Sequence, residues 1–280
     1  MSAGGAIFAT LLVCLGAMTL LWLLSLAIKD SSIVDIWWGA GFVLLGWTSA
    51  LLHIWGAVHA WPNDAPLLIL LMVTVWGLRL TLHLARRNIG HGEDPRYVAM
   101  RQKAGASWPL RSLFQVFWLQ GVIMWIVALP VLVTVANGAQ QWSGGEHFGE
   151  PLPEDPITWL GLLGLAVWAV GMFFETVGDW QLTRFKADPA SKGKVMNTGL
   201  WRYTRHPNYF GDATVWWGIW LVAASTGAWW TFIGQALINF MLVRVSGKAL
   251  LEKGMRNTRP GYDDYVRRTS GFIPRPPLRD

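Results

Sequence analysis

One cysteine, Cys14, stands in the whole chain of 280 residues, so an intramolecular disulfide and any multi-cysteine metal site are excluded. A lone thiol inside an apolar stretch reads as packing. Charged residues are scarce as well, at 14% of the chain. No G-x-G-x-x-G follows a strand and no G-x-x-x-x-G-K-[ST] is present, which removes the Rossmann and P-loop ways of cradling a nucleotide. H-E-x-x-H is absent, and the six histidines (His53, His59, His83, His91, His147 and His206) lack ligand spacing, so no metal is expected. A serine nucleophile elbow is missing too.

What the chain has in abundance is apolar surface: 53% hydrophobic residues, 20 tryptophans and a mean hydropathy of +0.34, the composition of an integral membrane protein. Seven stretches are long enough to span or nearly span a bilayer: 6–28, 33–56, 65–84, 112–136, 157–176, 208–226 and 228–245. The last two are short and close, which predicts a hairpin turning at Ser225-Thr226-Gly227. No Lys or Arg precedes the first, which argues for a permanent helix over a cleaved signal. The expected fold is all-α, a polytopic bundle of about seven helices forming a single domain over 1–280, with 175–280 as its cofactor-binding part.

All but two of the 23 Lys and Arg fall in alternate connections, at 29–32, 85–111, 177–207 and the tail from 246; the intervening connections at 57–64, 137–156 and 226–228 have none. Positive residues gather on the cytoplasmic side, so the N-terminus is expected outside and the C-terminus inside, with a bacterial inner membrane as the location. The net charge of +6 is then one-sided, and nucleic acid is not an expected partner. The acidic connection with Glu146, Glu150, Glu154 and Asp155 falls outside as a solvated loop.

On this orientation the ionisable residues of the helices gather at one level. Asp35 opens span two and Arg79 closes span three; Glu175 and Asp179 close span five, Asn208 and Asp212 open span six, and Arg244 and Lys248 close span seven. Such groups are costly in lipid, and their convergence predicts a pocket open to the cytoplasm. The alternative is a set of anchors snorkelling to headgroups, which suits Arg244 and Lys248 better than the acids. The densest group is 199–212, Gly-Leu-Trp-Arg-Tyr-Thr-Arg-His-Pro-Asn-Tyr-Phe-Gly-Asp. Arg202, Arg205 and His206 suit an anion, Pro207 suits a first helical turn, and Asn208 and Asp212 then share a face, with Tyr209 between them. A basic loop on lipid phosphates is the competing reading, and Asp212 speaks against it. The chemistry left is a cofactor with several phosphates, held by Arg and Lys beside a lipid-facing slot for an apolar substrate, with membrane lipids around it and no obligate protein partner.

These residues resemble the steroid 5α-reductase superfamily. The likeness runs from Glu175 through Asp179, Lys186 and Arg205-His206-Pro207-Asn208-Tyr209-Phe210-Gly211-Asp212 to Arg244, 246–253, Gly261-Tyr262-Asp263-Asp264-Tyr265 and Phe272-Ile273-Pro274. More weakly it takes in Asp35-Ile36-Trp37-Trp38-Gly39 and Arg86-Arg87-Asn88 to Tyr97, and a bacterial branch of uncharacterised membrane proteins is the nearer likeness. The resemblance implies seven helices, NADPH as cofactor and reduction of an enone double bond. It implies cofactor contacts at Arg79, Asn88, Glu175, Asp179, Lys186, Arg202, Arg205, His206, Asn208, Tyr209, Asp212, Arg244, Lys248, Tyr262 and Tyr265. Lys186 stands where the family has arginine, which weakens bidentate phosphate recognition.

Among catalytic positions, Asp35 falls where the family has a glutamate that polarises the substrate carbonyl. The partner tyrosine falls on Trp76, which donates a hydrogen bond but no proton. Tyr97 is the alternative donor if its loop folds back, against a plain headgroup-belt tyrosine. A buried Asp35 serves as donor only if protonated or part of a donor network. The rival enzyme is an S-adenosylmethionine-dependent methyltransferase of the isoprenylcysteine carboxyl methyltransferase type, which shares Arg-His-Pro-x-Tyr-x-Gly and the late Tyr-x-x-Tyr. The non-enzymatic rival is a lipid-binding scaffold. Trp37, Trp38, Trp216, Trp217 and Trp220 either line a flat slot or pack the bundle.

Overall fold

The computed structural model describes residues 2–54, 64–140, 157–245, 252, 254–256 and 258–278. Among these there is no strand. Helices run as α1 (Ala3–Ile28), α2 (Ile33–Ile54), α3 (Asp64–Asn88), α4 (Pro95–Ala104), α5 (Trp108–Ser112), α6 (Leu119–Gln140), α7 (Trp159–Ala187), α8 (Pro207–Ser225), α9 (Phe232–Phe240) and α10 (Tyr262–Arg268). A π segment, Leu113–Trp118, joins α5 to α6, and a second, Met241–Val245, continues α9.

Among the described residues five helical runs are long and apolar enough to cross a membrane: Ala3–Ile28, Ile33–Leu52, Ala65–Asn88, Pro95–Gly138 and Trp159–Ala187. The chain is an integral membrane protein. The sixth and seventh expected spans are helical but fall outside this set. α8 starts at Pro207 and carries Asn208, Asp212, Trp216, Trp217 and Trp220, while α9 with its π segment runs only from Phe232 to Val245. The expected turn is present: α8 ends at Ser225 and Gly227 adopts φ +86°, a left-handed conformation that glycine enters without steric cost. The Gln235 amide donates to Ala213 O at 3.1 Å, tying α9 back to α8.

Two helices run well past their apolar stretches, which corrects the depth assigned to several residues. α7 continues to Ala187, so Glu175 and Asp179 lie inside it and only Lys186 is at its end. No breaker intervenes until Asp188-Pro189, and residues such as Gln181, Leu182 and Arg184 favour helix as strongly as the apolar run does. α3 likewise reaches Asn88, leaving Arg79 in its interior. Lys248, with the rest of 246–251, and the acidic residues Glu146, Glu150, Glu154 and Asp155 lie outside the described residues.

The chain divides into two compact units, 1–161 with 222–234, and 162–221 with 235–280. In the first, α2 and α3 cross at a point of backbone contact: a Cβ on Gly39 would stand 2.1 Å from Gly77 O, and one on Gly77 would stand 2.5 Å from Gly39 O. Tryptophans peg the neighbouring helices. Trp22 donates to Pro109 O, Trp118 to Thr19, Trp125 to Ile7 O and Thr10, and Trp47 to Thr74. Each indole buries a large apolar body while its N–H finds an acceptor, so these tryptophans act as packing.

In the second unit, glycines set the distance between α7 and α8. A Cβ on Gly171 would meet Val215 N at 2.4 Å, one on Gly211 would meet Glu175 N at 2.3 Å, and one on Gly218 would meet Trp168 N at 2.5 Å. Small residues at helical spacing let backbones approach closely, the usual device of helix pairs in lipid. One turn further, Gly178 lies against Asn208, where a Cβ would come 3.1 Å from Asn208 N. The seam therefore fixes Asn208 against α7.

Candidate functional site

The first unit holds a polar cluster built around Asp35, in the first turn of α2. Tyr97 donates from its hydroxyl to Asp35 Oδ1 at 2.7 Å, and Arg96 donates from Nη2 to Asp35 Oδ2 at 2.8 Å. Tyr97 is 6% exposed, so the loop tyrosine does fold back into the protein. Asp35 accepts both bonds, so it stands in a network with a phenol and a guanidinium as donors. Trp76 is buried and packs edge-on to Phe42 with ring centroids 5.5 Å apart.

Local chemistry brings α4 to this place. Asp94 caps α4 by accepting Arg96 N–H at 2.9 Å, and Pro95 occupies the first turn. Burial works against the charge of the Asp94 carboxyl, but the bonds from Arg96 outweigh it and hold its pKa below the usual carboxylate range. Glu93 then fastens the connection: it accepts Ser31 N–H at 2.7 Å and Arg101 Nη2 at 2.7 Å, and Arg101 also reaches Lys29 O at 3.3 Å. The α3–α4 connection is thereby bound to the turn between α1 and α2, and Tyr97 is delivered to Asp35.

The second unit holds most of the residues expected to bind a cofactor. Asp179 Oδ1 accepts Asn208 Nδ2 at 3.0 Å, joining α7 to the first turn of α8. Pro207 is the first residue of α8, so Asn208 and Asp212 fall one turn apart as expected. Glu175 and Asp179 are both buried. Arg205 is turned towards the tail: Nε donates to Glu252 Oε1 at 2.9 Å, and Nη1 donates to Val266 O at 3.1 Å and to Thr269 O. His206 Nε2 sits 3.1 Å from the same Glu252 oxygen, with its ring stacked on Tyr209 at 5.6 Å. Arg205 and His206 therefore hold the tail in place. Burial alone would raise the Glu252 carboxyl; the hydrogen bonds and charges of His206 and Arg205 reverse this and lower it to about 2. Burial, with the Glu252 charge, pushes the Tyr262 phenol up to about 12, so it is a neutral group at physiological pH.

A cleft of about 1060 Å³ opens beside the tail, with Lys194, Arg202 and Arg268 among its lining and Tyr265 in its wall. Asp264 pairs with Arg268 at 3.0 Å, leaving a basic excess. The cleft connects to the α7–α8 pair by a chain of bonds. Tyr265 donates to Trp201 O, the Trp201 indole donates to Gly178 O at 3.1 Å, and Asp179 follows Gly178 in the chain. Lys194 and Arg202, with the rings of Tyr203 and Tyr265, give the cleft a cationic and aromatic lining that suits a phosphate-bearing group, while the Asp179–Asn208 pair lies outside that lining. Lys186 and Arg244 are exposed, and Asn88 ends α3 with its carbonyl accepting Arg87 Nε at 3.0 Å. Among the described residues no cluster of His, Cys, Asp and Glu could hold a metal ion.

Sequence reasoning passed over Arg96, Gln120, Trp201 and the role of Glu252. Glu252 stood in a quoted run with no role given, and an acid in a tail with eight Lys and Arg was the available signal.

Helical membrane architecture with two buried polar clusters defines the class. The chain belongs to the family described as protein of unknown function (DUF1295), whose model matches residues 21–269. An uncharacterised protein of Schizosaccharomyces pombe is 26% identical over 91% of this chain and 76% of its own length. A probable O-methyltransferase of Ustilaginoidea virens is 28% identical over 52% of this chain and 44% of its own. A steroid 5-alpha-reductase of Gossypium hirsutum is 24% identical over 60% of this chain and 62% of its own. These relatives agree with the resemblance to the steroid 5α-reductase superfamily and with its methyltransferase overlap. The chain thus spans less than two thirds of the length of the two relatives named for an activity. No solved structure matches it.

Proposed function

We propose that this protein is a membrane-embedded, NADPH-dependent reductase of an enone double bond in an apolar, steroid-like substrate. The observation that carries the reading is the Tyr97–Asp35 bond at 2.7 Å. Enone reduction develops negative charge on the carbonyl oxygen, and a positioned phenol meets it with a proton. Trp76 cannot do this, and Tyr97 takes its place from a different helix. When bound, the reduced nicotinamide supplies the hydride that goes to the β-carbon. In this reading Asp35 orients the phenol until substrate binds; the substrate oxygen then replaces Asp35 Oδ1 as acceptor of the single phenol hydrogen, and Arg96, paired with Asp35, offsets the charge left on the phenol oxygen as that proton passes to the substrate. Asn208, Asp212 and Asp179 would hold the cofactor, with Lys194, Arg202 and Lys186 as its phosphate partners.

A second reading is favoured by one relative, the probable O-methyltransferase. In it the second unit would hold S-adenosylmethionine, and Asp35 with Tyr97 would accept a proton from the substrate in place of giving one. One experiment separates the two. NADPH, NADH and S-adenosylmethionine are added in turn to the detergent-purified protein, and the shift in melting temperature is read, since a ligand of the native state raises it. The reductase reading expects a shift with NADPH, followed by single-turnover NADPH oxidation on adding a Δ4-3-ketosteroid or a simpler enone. Stabilisation by S-adenosylmethionine alone overturns it in favour of methyl transfer.

A further inference from the structure

The polar cluster around Asp35 continues past the phenol. Gln120 Nε2 lies 3.4 Å from the Tyr97 hydroxyl oxygen, and Gln120 Oε1 accepts the Trp38 indole N–H at 2.6 Å. A glutamine amide can be placed either way round, and its partners decide which. An indole N–H only donates, so Trp38 requires the carbonyl oxygen on its side and sends the –NH₂ towards Tyr97. The phenol oxygen then receives a donor from α6, and its single hydrogen is left for Asp35 at 2.7 Å. Asp35 takes Arg96 on its other oxygen at 2.8 Å. Every bond in the chain points the same way, from Trp38 through Gln120 and Tyr97 to Asp35.

The backbone gives Gln120 this position. The π segment Leu113–Trp118 directly precedes it. One extra residue in a helix turns everything after it by about 100°, and such insertions are frequent at functional sites. On α2, Trp38 follows Asp35 by three residues, so the two lie on one face. Both ends of the hydrogen-bond series, Trp38 and Asp35, thus stand on α2.

We infer that Gln120 is a positioning residue for the Tyr97 phenol, and that Trp38 fixes the sense of its amide. Gln120 sends the phenol hydrogen to the Asp35 side and supplies a donor to the phenol oxygen as negative charge develops there. This rests on the reading of Tyr97 as the donor to a substrate oxygen, although the direction of the hydrogen bonds does not. The charged groups facing Tyr97 are Asp35 from α2 and Arg96 from α4, with Asp94 and Arg87 behind them; the group from α6 is this neutral amide.

A glutamine present only to satisfy buried polar atoms and a glutamine that sets direction differ under isosteric replacement. In Gln120→Glu the introduced carboxyl, when protonated, can still accept from Trp38 and donate to Tyr97. Once ionised it can only accept, and it draws the phenol hydrogen away from Asp35. The variant should therefore acquire a pH-dependent loss of kcat, rising with pH, that the wild type lacks, with KM steady. Gln120→Leu should lower kcat about tenfold at every pH, a part of what general-acid catalysis supplies. Trp38→Phe, which leaves the backbone and most of the packing alone, should fall between.

Activity is read by steady-state NADPH oxidation over a range of enone concentrations, which gives kcat and KM separately. Independently of activity, the tyrosine Fermi doublet in ultraviolet resonance Raman spectra distinguishes donating from accepting phenols, and subtracting the spectrum of Tyr97→Phe isolates Tyr97. The wild-type phenol should show both roles, and Gln120→Leu should leave donation alone. If the wild type reduces no enone, the proposed reaction fails while the Raman comparison still decides the placement. Unchanged Tyr97 bands in both Gln120→Leu and Trp38→Phe, or wild-type kcat in Gln120→Leu, overturn the inference.

Discussion

The hydroxyl of Tyr97 donates to Asp35 Oδ1 across 62 residues of chain, at 2.7 Å. Neither residue carries the arrangement alone. Asp35 stands at the start of α2 and Tyr97 in the first turns of a short helix whose own start is set by Asp94 and Pro95. Glu93 binds that helix to the α1–α2 turn through Ser31 and Arg101. Loosening the clamp should loosen the phenol, which makes Glu93→Gln a milder version of removing Tyr97.

For the reaction itself, Tyr97→Phe should cut single-turnover NADPH oxidation by about 10²-fold or more, the usual loss on removing a general acid. Asp35→Asn keeps a polar partner for the phenol and should lose less than Asp35→Leu, which removes the acceptor of the phenol hydrogen. NADPH-induced stabilisation should be nearly unchanged in all three. Full turnover in Asp35→Leu removes Asp35 from the orienting role.

The α7–α8 seam gives a prediction about stability. Gly211→Ala places a methyl 2.3 Å from Glu175 N, where backbone must move, so the variant should melt well below wild type or fail to assemble. Gly16→Ala, in α1, meets nothing within 4 Å and should be neutral to slightly stabilising, since alanine costs a helix about 0.5–1 kcal/mol less than glycine. Equal melting temperatures in the two variants would show that the seam is not closely packed.

How much of this was legible beforehand follows from the range of each interaction. The first five apolar runs, the start of α8 at Pro207 and the turn at Gly227 are local signals, and helices long enough to span stand where those five runs were expected. The ends of α3 and α7 are not, because hydropathy falls where a helix leaves the apolar zone while helix propensity carries it further. Asn208 meeting Asp179 is half legible: the two helices were expected to meet, but the contact depends on Gly178, whose lack of a side chain has no signal of its own. Gln120 was hidden altogether. An amide in an apolar run reads as tolerated polarity until the indole 82 residues away shows which way it faces.

Two kinds of cofactor variant should separate cleanly. Asn208→Ala and Asp212→Ala should abolish NADPH-induced stabilisation while the nucleotide-free protein stays folded. Arg79→Ala and Lys186→Ala should weaken NADPH binding, more visibly at low salt, where phosphate attraction is less screened. Arg205→Ala should behave differently. Its guanidinium is committed to Glu252, Val266 O and Thr269 O, so the melting temperature should fall without any nucleotide present. A wild-type thermal shift with NADPH in Asn208→Ala or in Asp212→Ala would take that residue out of the site.

The Glu252 carboxyl gives a pH-dependent test of the tail anchor. Its pKa in the folded protein is about 2, lowered from an ordinary value of 4.5, by bonds from His206 and Arg205 that outweigh its burial. A carboxyl depressed on folding contributes stability that is fully present above the unfolded value and is lost as pH falls towards the folded one. The contribution therefore disappears between about pH 4.5 and pH 2. Glu252 is only partly buried, so solvent screening makes the effect modest. Melting curves of wild type and Glu252→Gln should differ at pH 7 and converge as the pH is lowered through this window. Glu252→Gln should also expose the 258–278 segment to proteolysis at neutral pH, because the acceptor that Arg205 meets at 2.9 Å loses its negative charge and the bond its charge assistance. A constant gap between the two melting curves from pH 7 down to pH 3 would mean that the Glu252 charge does not anchor the tail.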